Sequence, residues 1–90
     1  MNIIPAVSTI YMVFQVLNKL KWTGELENAE VVILHRGAPN NEKTISGKNI
    51  TELKKGYFCY ISGNREIHIP HHRILRVIYN GKVIWKKAHK

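Results

Sequence analysis

Residues 74–85 read ILRVIYNGKVIW and carry the strongest local structural signal in the chain. Asn80-Gly81 is a preferred pair for a two-residue type I′ turn, in which both central residues adopt positive φ. The pair separates two runs rich in β-branched and aromatic residues, Ile74–Tyr79 and Lys82–Trp85. The pattern therefore predicts an antiparallel β-hairpin near the carboxyl end of the chain.

Upstream of this hairpin the chain continues to favour strands. Val31–His35 is a continuous apolar run typical of a central strand, and a Gly-Ala-Pro-Asn-Asn segment at 37–41 interrupts it. Three further segments are predicted as strands: Glu42–Ile45, Tyr57–Ile61 and Arg65–Ile69. The last two form a hairpin with a three-residue turn at 62–64, and Pro70 marks a strand end or edge. Gly47–Leu53 fits either a helical turn or a loop.

One amphipathic helix is predicted before these strands, from Ser8 to Leu20. Its apolar residues recur at spacings of three and four and form one stripe: Ile10, Val13, Phe14, Leu17 and Leu20. Ser8 or Thr9 is expected to cap its start, and Thr23-Gly24 to end it. The predicted fold is α+β, with this helix packed on a mainly antiparallel sheet of about five strands. Residues 1–90 are expected to form a single domain, since so short a chain builds one core.

The charge is unevenly distributed. Fourteen Lys and Arg stand against six acids, all of them Glu, which gives a net charge of +8. Residues 61–90 carry seven basic groups and one acid, whereas residues 1–30 carry two basic groups and three acids. A basic surface in the sheet half favours a polyanionic partner. The shortage of carboxylates argues against a nuclease that holds two metal ions.

Two features bear on the compartment. Cys59 is the only cysteine and is expected to be a buried thiol, so the fold needs no oxidising environment and a cytoplasmic location is expected. No charged side chain precedes Lys19, yet a signal peptide or membrane anchor is disfavoured. The stretch lacks the basic residues that begin a signal peptide, and polar residues and Pro5 interrupt its apolar run.

Two His-Arg dipeptides are the strongest candidates for a site. His35-Arg36 follows the Val31 strand, and His72-Arg73 precedes the last hairpin. Arginine offers a planar fork of donors suited to phosphate oxygens, and histidine donates a hydrogen bond or exchanges a proton near neutral pH. Together, with amides of the turn at Gly37, the two pairs would form a pocket for a terminal phosphate. Ordinary surface histidines remain the simpler interpretation of the dipeptides alone.

Other chemistries are disfavoured. His68, His71 and His72 suggest a metal site, but no neighbouring carboxylate or cysteine group completes a tetrahedral set. The chain has no Gly-x-Ser-x-Gly elbow and no Asp to orient a base. Two-histidine phosphoesterases use His-x-Ser/Thr motifs, and here the hydroxyl residue is missing after both His35 and His72. No metal or cofactor is expected.

Aromatic residues are candidates for stacking on bases. Trp22 and Phe58 are expected in the core, because most aromatic side chains of so small a domain are needed there. Tyr57, Tyr79 and Trp85 remain candidates for exposed rings beside the basic hairpin.

Four motifs in order resemble a small archaeal domain family, formerly of unknown function and now described as an RNA cyclic-group end recognition, or RNA-repair, domain. They are Leu17-Asn18-Lys19-Leu20-Lys21-Trp22, His35-Arg36-Gly37-Ala38-Pro39, Ile69-Pro70-His71-His72-Arg73-Ile74 and Gly81-Lys82-Val83-Ile84-Trp85. The chain departs from the family pattern at His71, where an aromatic residue is expected, and at Tyr11 and Met12, where charged residues are expected. The apolar N-terminal segment through Val16 is therefore a candidate homodimer contact.

The resemblance implies an RNA-binding module that recognises 3′ ends carrying a 2′,3′-cyclic phosphate, in RNA repair or processing. Its expected partners are RNA and an RNA ligase, nucleotidyltransferase or phosphoesterase, and no membrane. The residues expected to bind the RNA, by resemblance or by their place on the basic sheet, are His35, Arg36, Gly37, Lys43, His72, Arg73, Lys21, Arg76 and Lys82.

Two alternatives stay open beside a non-catalytic module. One is a metal-independent phosphoesterase or ribonuclease in which His35 and His72 act as general base and acid. The other is a protein-interaction domain whose basic face meets an acidic partner.

Overall fold

The computed structural model describes the backbone of residues 6–87 and the side chains of residues 12–87. Within this range one α-helix, α1 (Ala6–Trp22), precedes seven strands. The strands are β1 (Ala29–Leu34), β2 (Glu42–Ser46), β3 (Ile50–Leu53), β4 (Tyr57–Ser62), β5 (Arg65–Pro70), β6 (Ile74–Tyr79) and β7 (Lys82–Lys86). The predicted α+β class is confirmed.

The strands divide into two antiparallel sheets instead of the one sheet of about five strands that was expected. One sheet has the order β2-β1-β6-β7 and the other the order β3-β4-β5. The additional strand is β3, in the segment left ambiguous by the sequence. Two of its four residues, Thr51 and Glu52, are exposed, and it becomes a strand by pairing with β4. Tertiary pairing here overrides a weak local pattern.

The core lies where α1 and the inner faces of both sheets meet. Its fully buried members include Val13 and Leu17 of α1, Ile33 of β1 and Phe58 of β4. Other buried residues of β1 and β6 belong to the same cluster: Val31, Ile74 and Val77. Cys59 is also buried, as predicted, and burial raises the pKa of its thiol.

The end of α1 is set by a glycine. Gly24 has a φ of 77°, and the amides of Gly24 and Glu25 donate to the carbonyls of Lys21 and Leu20 at 3.2 and 2.8 Å. This is the Schellman arrangement, which satisfies carbonyls that the last turn leaves free. The prediction that Thr23-Gly24 ends the helix is confirmed. The start differs, because α1 already includes Ser8 and Thr9.

Of the two hairpin turns predicted from the sequence, one is confirmed and the other is wrong. The Asn80-Gly81 turn is confirmed, with φ of 50° and 82°, and Tyr79 pairs with Lys82 across it. The three-residue turn predicted at 62–64 is wrong, because Ser62 pairs with Arg65 and leaves only two residues between the strands. The apolar segment expected to form a dimer contact lies mostly outside the described side chains, although Met12 is exposed.

Candidate functional site

The pairing of β1 with β6 brings the two His-Arg dipeptides to the same edge. The strands are antiparallel, and Ile33 near the end of β1 pairs with Ile74 at the start of β6. His35-Arg36 directly follows β1, and His72-Arg73 directly precedes β6. Arg73 Nη2 donates a hydrogen bond of 2.7 Å to the backbone oxygen of Leu34. We call these four residues the His-Arg edge.

A β-bulge shapes this edge. The register between β1 and β6 shifts between Val32, which pairs with Arg76, and Ile33, which pairs with Ile74. Leu75 is therefore the extra residue on β6. Bulges bend a strand and increase its twist, and they are common beside functional sites because they redirect side chains.

The loop after β1 is closed by Asn41. The amide of His35 donates to the Asn41 carbonyl at 2.7 Å, and the amide of Gly37 donates to Asn41 Oδ1 at 3.3 Å. Gly37 has a φ of 95°, which favours glycine at this position. His35 and Arg36 are exposed on this loop. The Gly37 amide, expected to face a phosphate, is instead occupied by the Asn41 side chain.

The turn before β6 separates two neighbouring histidines. His72 is exposed, and its carbonyl accepts a hydrogen bond of 2.6 Å from Lys87 Nζ. His71 is only 1% exposed, with its ring 6.1 Å from those of both Phe14 and Phe58. Its Nε2 lies 2.7 Å from the Lys54 carbonyl, and burial lowers its pKa. His71 is therefore a core residue, whereas His72 belongs to the His-Arg edge.

A cleft adjoins the His-Arg edge. It has a volume of about 370 Å³ and is lined by Glu42, Leu75, Arg76, Lys86 and Lys87. Its position is fixed by two links to the dipeptides: Glu42 follows the Asn41 that closes the first loop, and Lys87 contacts His72. We call it the cationic cleft, since three of its five lining residues carry positive charge.

Arg76 is already paired within this cleft. Its Nη2 and Nη1 donate to Glu42 Oε1 and Oε2 at 2.8 and 3.1 Å, a bidentate geometry. The hydrogen bonds from Arg76 lower the pKa of Glu42, and the same bonds raise the pKa of Arg76. Of the three cations, Arg76 therefore meets an incoming anion only in competition with Glu42.

Three other predicted residues lie away from the cleft. Lys43 lies on the opposite face of β2 from Glu42, with its Nζ 5.7 Å from the centre of the Tyr60 ring. Lys82 pairs with Tyr79 at the far end of β6. Lys21 lies on the last turn of α1 and lines a different cavity, with Asn18 and Trp22.

Lys86 and Lys87 were missing from the predicted site. The charge count placed them in the basic carboxyl-terminal third, but only the pairing of Arg76 with Lys86 shows that Lys86 shares a face with Arg76. Lys87, just beyond β7, lines the same cleft. Knowledge of strand register was needed, because period-two alternation assigns faces only once the register is known.

The aromatic residues divide differently from expectation. Phe58 is fully buried, as predicted, but Trp22 is 81% exposed, so its assignment to the core is wrong. Tyr57 stacks on His68 with ring centres 5.4 Å apart. Tyr79 donates to Glu25 at 2.7 Å, and Trp85 packs against the core. These three rings are half-buried.

Among the described residues, no three His, Cys, Asp or Glu side chains lie close enough to hold a metal ion. No helix in the described part of the chain is long and apolar enough to cross a membrane.

Comparison with known proteins identifies a family that matches most of the chain. Residues 12–87 match the model described as the MJ1316 RNA cyclic group end recognition domain. A UPF0248 protein of Methanocaldococcus jannaschii is 42% identical over 82 residues, covering 87% of this chain and 96% of the relative. UPF0248 proteins of Thermococcus sibiricus and Thermococcus gammatolerans are 47% and 44% identical, covering 81% and 84% of this chain and 82% and 89% of theirs. No solved structure matches.

Proposed function

Because the chain belongs to the MJ1316 RNA cyclic group end recognition domain family, we propose that it binds RNA 3′ ends that carry a 2′,3′-cyclic phosphate. The His-Arg edge receives the cyclic phosphate, and the cationic cleft receives the phosphates that precede it. RNA repair or processing is the setting in which such ends arise and must be handled.

The observation that carries this proposal is the hydrogen bond from Arg73 to the Leu34 carbonyl. It ties the start of β6 to the residue before His35-Arg36, so that two dipeptides far apart in sequence serve one edge. A guanidinium has five N–H donors. The bond to Leu34 occupies one Arg73 nitrogen, Nη2, and leaves donors on the others for a phosphate oxygen. Arg36, His35 and His72 are exposed, and in this proposal they contact the same ligand.

The cationic cleft supplies affinity without reading sequence. Lysine and arginine that neutralise backbone phosphates release counterions, so binding weakens steeply as salt rises. Lys86 is exposed, and Lys87 Nζ contacts the His72 carbonyl, which joins the cleft to the His-Arg edge. End selectivity and general affinity are thus assigned to two neighbouring groups of residues.

The proposed module holds the end without converting it. An RNA ligase, a nucleotidyltransferase or a phosphoesterase would then be the enzyme that acts on the bound RNA end.

The exposure of both His35 and His72 at one edge also favours a second candidate function, metal-independent hydrolysis of the cyclic phosphate with these residues as base and acid. Incubation of the cyclic-ended RNA with excess protein separates the two: a phosphomonoester product supports hydrolysis, and unchanged RNA supports binding alone.

The binding experiment uses one labelled RNA sequence with three ends: 2′,3′-cyclic phosphate, 3′-phosphate and 3′-hydroxyl. Fluorescence anisotropy is expected to show the tightest binding for the cyclic end. Arg36→Gln should remove the preference, whereas Arg65→Gln should not, because Arg65 is an equally exposed arginine on the other sheet. Equal affinities for all three ends would contradict the proposal. Absence of RNA binding would favour the remaining alternative, a basic surface for an acidic protein.

A further inference from the structure

Trp22 is the most exposed large apolar side chain among the described residues, at 81%. The next, Val83, is 54% exposed. An indole left in water forgoes the stabilisation that burial of so large an apolar surface provides. The sequence places Trp22 in one of the family motifs, yet the His-Arg edge and the cationic cleft make no use of it.

The surroundings of Trp22 are polar and basic. Asn18 precedes it by four residues and Lys21 by one, and the three line a cavity of about 290 Å³ at the end of α1. Residues four apart on a helix are neighbours, so Asn18 and Trp22 lie side by side. Lys19 adds a second exposed cation in the same turn. The cavity thus combines an aromatic surface, an amide and a positive charge.

The indole is also held on a fixed support. Trp22 is the last residue of α1, and the two amide-to-carbonyl hydrogen bonds of the Schellman arrangement close the chain immediately after it. Thr23 Oγ1 adds hydrogen bonds to the Lys19 and Leu20 carbonyls at 3.1 and 3.3 Å. Because the backbone of this turn is already ordered, little conformational entropy is lost there when a ligand stacks on the ring.

These features fit an unpaired nucleobase better than a protein surface. Among the described side chains of α1, the next exposed apolar residue is Met12. Gln15 and Lys19 separate it from Trp22, and it lies roughly 15 Å away at the helical rise per residue. A protein interface would require a wider apolar area. A base needs one aromatic face, an amide for its edge and a cation for the adjoining phosphate.

We propose that Trp22, Asn18 and Lys21 form a second RNA subsite, which stacks one unpaired base. The inference rests on the proposed function, since it takes RNA as the ligand. The subsite lies near the far end of β6 from the His-Arg edge, because Tyr79 bonds to Glu25 just beyond α1. The six residues of β6 span roughly 17 Å. A single terminal nucleotide held at the His-Arg edge therefore does not reach the subsite, and a longer single strand does.

The chain has two tryptophans, which allows each to be observed alone. In a Trp85→Phe variant, emission from Trp22 should be quenched when single-stranded RNA of about eight nucleotides is added. In a Trp22→Phe variant, emission from Trp85 should change little. Asn18→Ala and Lys21→Ala should each weaken the quenching, whereas Gln15→Ala, on the same helix, should not. Trp22→Ala should lower the affinity for this RNA about tenfold.

Separate signals distinguish the two proposals. If labelled cyclic-ended RNA binds by anisotropy and Trp22 emission stays constant, the subsite is wrong and end recognition stands. If RNA with any end quenches Trp22 and no end is preferred, the subsite stands and end recognition is wrong. If RNA leaves Trp22 unchanged but the protein self-associates and Trp22→Ala abolishes the association, the ring is covered by a second copy and the subsite is wrong.

Discussion

Arg73 Nη2 lies 2.7 Å from the Leu34 carbonyl oxygen, although 39 residues of sequence separate the two. The bond lies just beyond the register shift between β1 and β6, past the pair of Ile33 with Ile74, and holds the guanidinium against the residue that precedes His35-Arg36. The bond gives Arg73 a structural role, and the proposed function gives it a ligand-binding role as well. The two roles can be separated by substitution.

Arg73→Gln should lower both stability and RNA affinity. Loss of the charge-assisted bond to Leu34 should reduce the free energy of unfolding by about 1–2 kcal/mol. Arg73→Lys should keep the positive charge but lose the fork geometry, and so should lose most of the preference for a cyclic end. Chemical denaturation and anisotropy measure the two effects. Arg65→Gln is the control, and an equal stability loss in that variant would show that the Leu34 bond contributes nothing specific.

Glu42→Gln should increase RNA affinity. The carboxylate occupies both terminal nitrogens of Arg76 and places a negative charge in the cationic cleft. Removal of that charge frees Arg76 for phosphate, so binding at low salt should tighten by about threefold to tenfold, and the salt dependence should steepen by about one charge. A control, Glu66→Gln, changes the same charge on the other sheet. Weaker binding after Glu42→Gln alone would mean that Glu42 orients Arg76 for the RNA.

Acid should destabilise the fold through His71. Burial lowers the pKa of this imidazole in the folded chain, so the unfolded chain binds the proton more readily. The free energy of unfolding therefore falls as the pH drops through about 6.5, with a slope approaching 1.4 kcal/mol per pH unit at most. Nδ1 is buried without a hydrogen-bond partner among the described residues, which leaves a proton there unsolvated.

Denaturation of His71→Phe at several pH values tests this. Between about pH 7.5 and 5.5 the variant should lose most of the slope, because the titrating ring is gone. His72→Gln removes an exposed histidine and should keep the slope. If His71→Phe retains the full slope, another group is responsible.

Gly47 should tolerate no side chain. A Cβ at this position would lie 2.0 Å from the Leu26 carbonyl oxygen and 3.0 Å from that of Ala29, both backbone atoms. Gly47→Ala should therefore destabilise the fold by about 2–4 kcal/mol, since the turns at Leu26–Asn28 and Gly47–Asn49 must separate. Gly56→Ala is the matched control, because a Cβ there meets nothing within 4 Å. Similar melting temperatures for the two variants would contradict the prediction.

Elements whose conformation depends mainly on neighbouring residues could be predicted from the sequence. Asn80-Gly81 specified its own turn, and the apolar runs at Val31 and Ile74 identified β1 and β6. The relative position of the two dipeptides did not follow from this, because only the structure shows that β1 pairs with β6 and so brings the end of one strand beside the start of the other. The proposal that they bind one phosphate remains a prediction.

Contacts between distant segments account for what the sequence missed. The partner of Arg76 is Glu42, 34 residues away. His71 and His72 are identical neighbours, and only their place in the turn before β6 sends one ring into the core and leaves the other exposed. Trp22 was expected in the core because most aromatic side chains of a small domain are buried, whereas this one, at the very end of α1, is exposed.

In the proposed function, His35-Arg36 and His72-Arg73 together bind one terminal phosphate. The most direct test is a titration with a nucleoside 2′,3′-cyclic phosphate, followed by NMR signals of the histidine rings and arginine side chains. We expect the signals of His35, Arg36, His72 and Arg73 to shift together with one dissociation constant, while the Arg65 signal does not move. Shifts confined to one dipeptide, or two dipeptides that titrate with different constants, would contradict it.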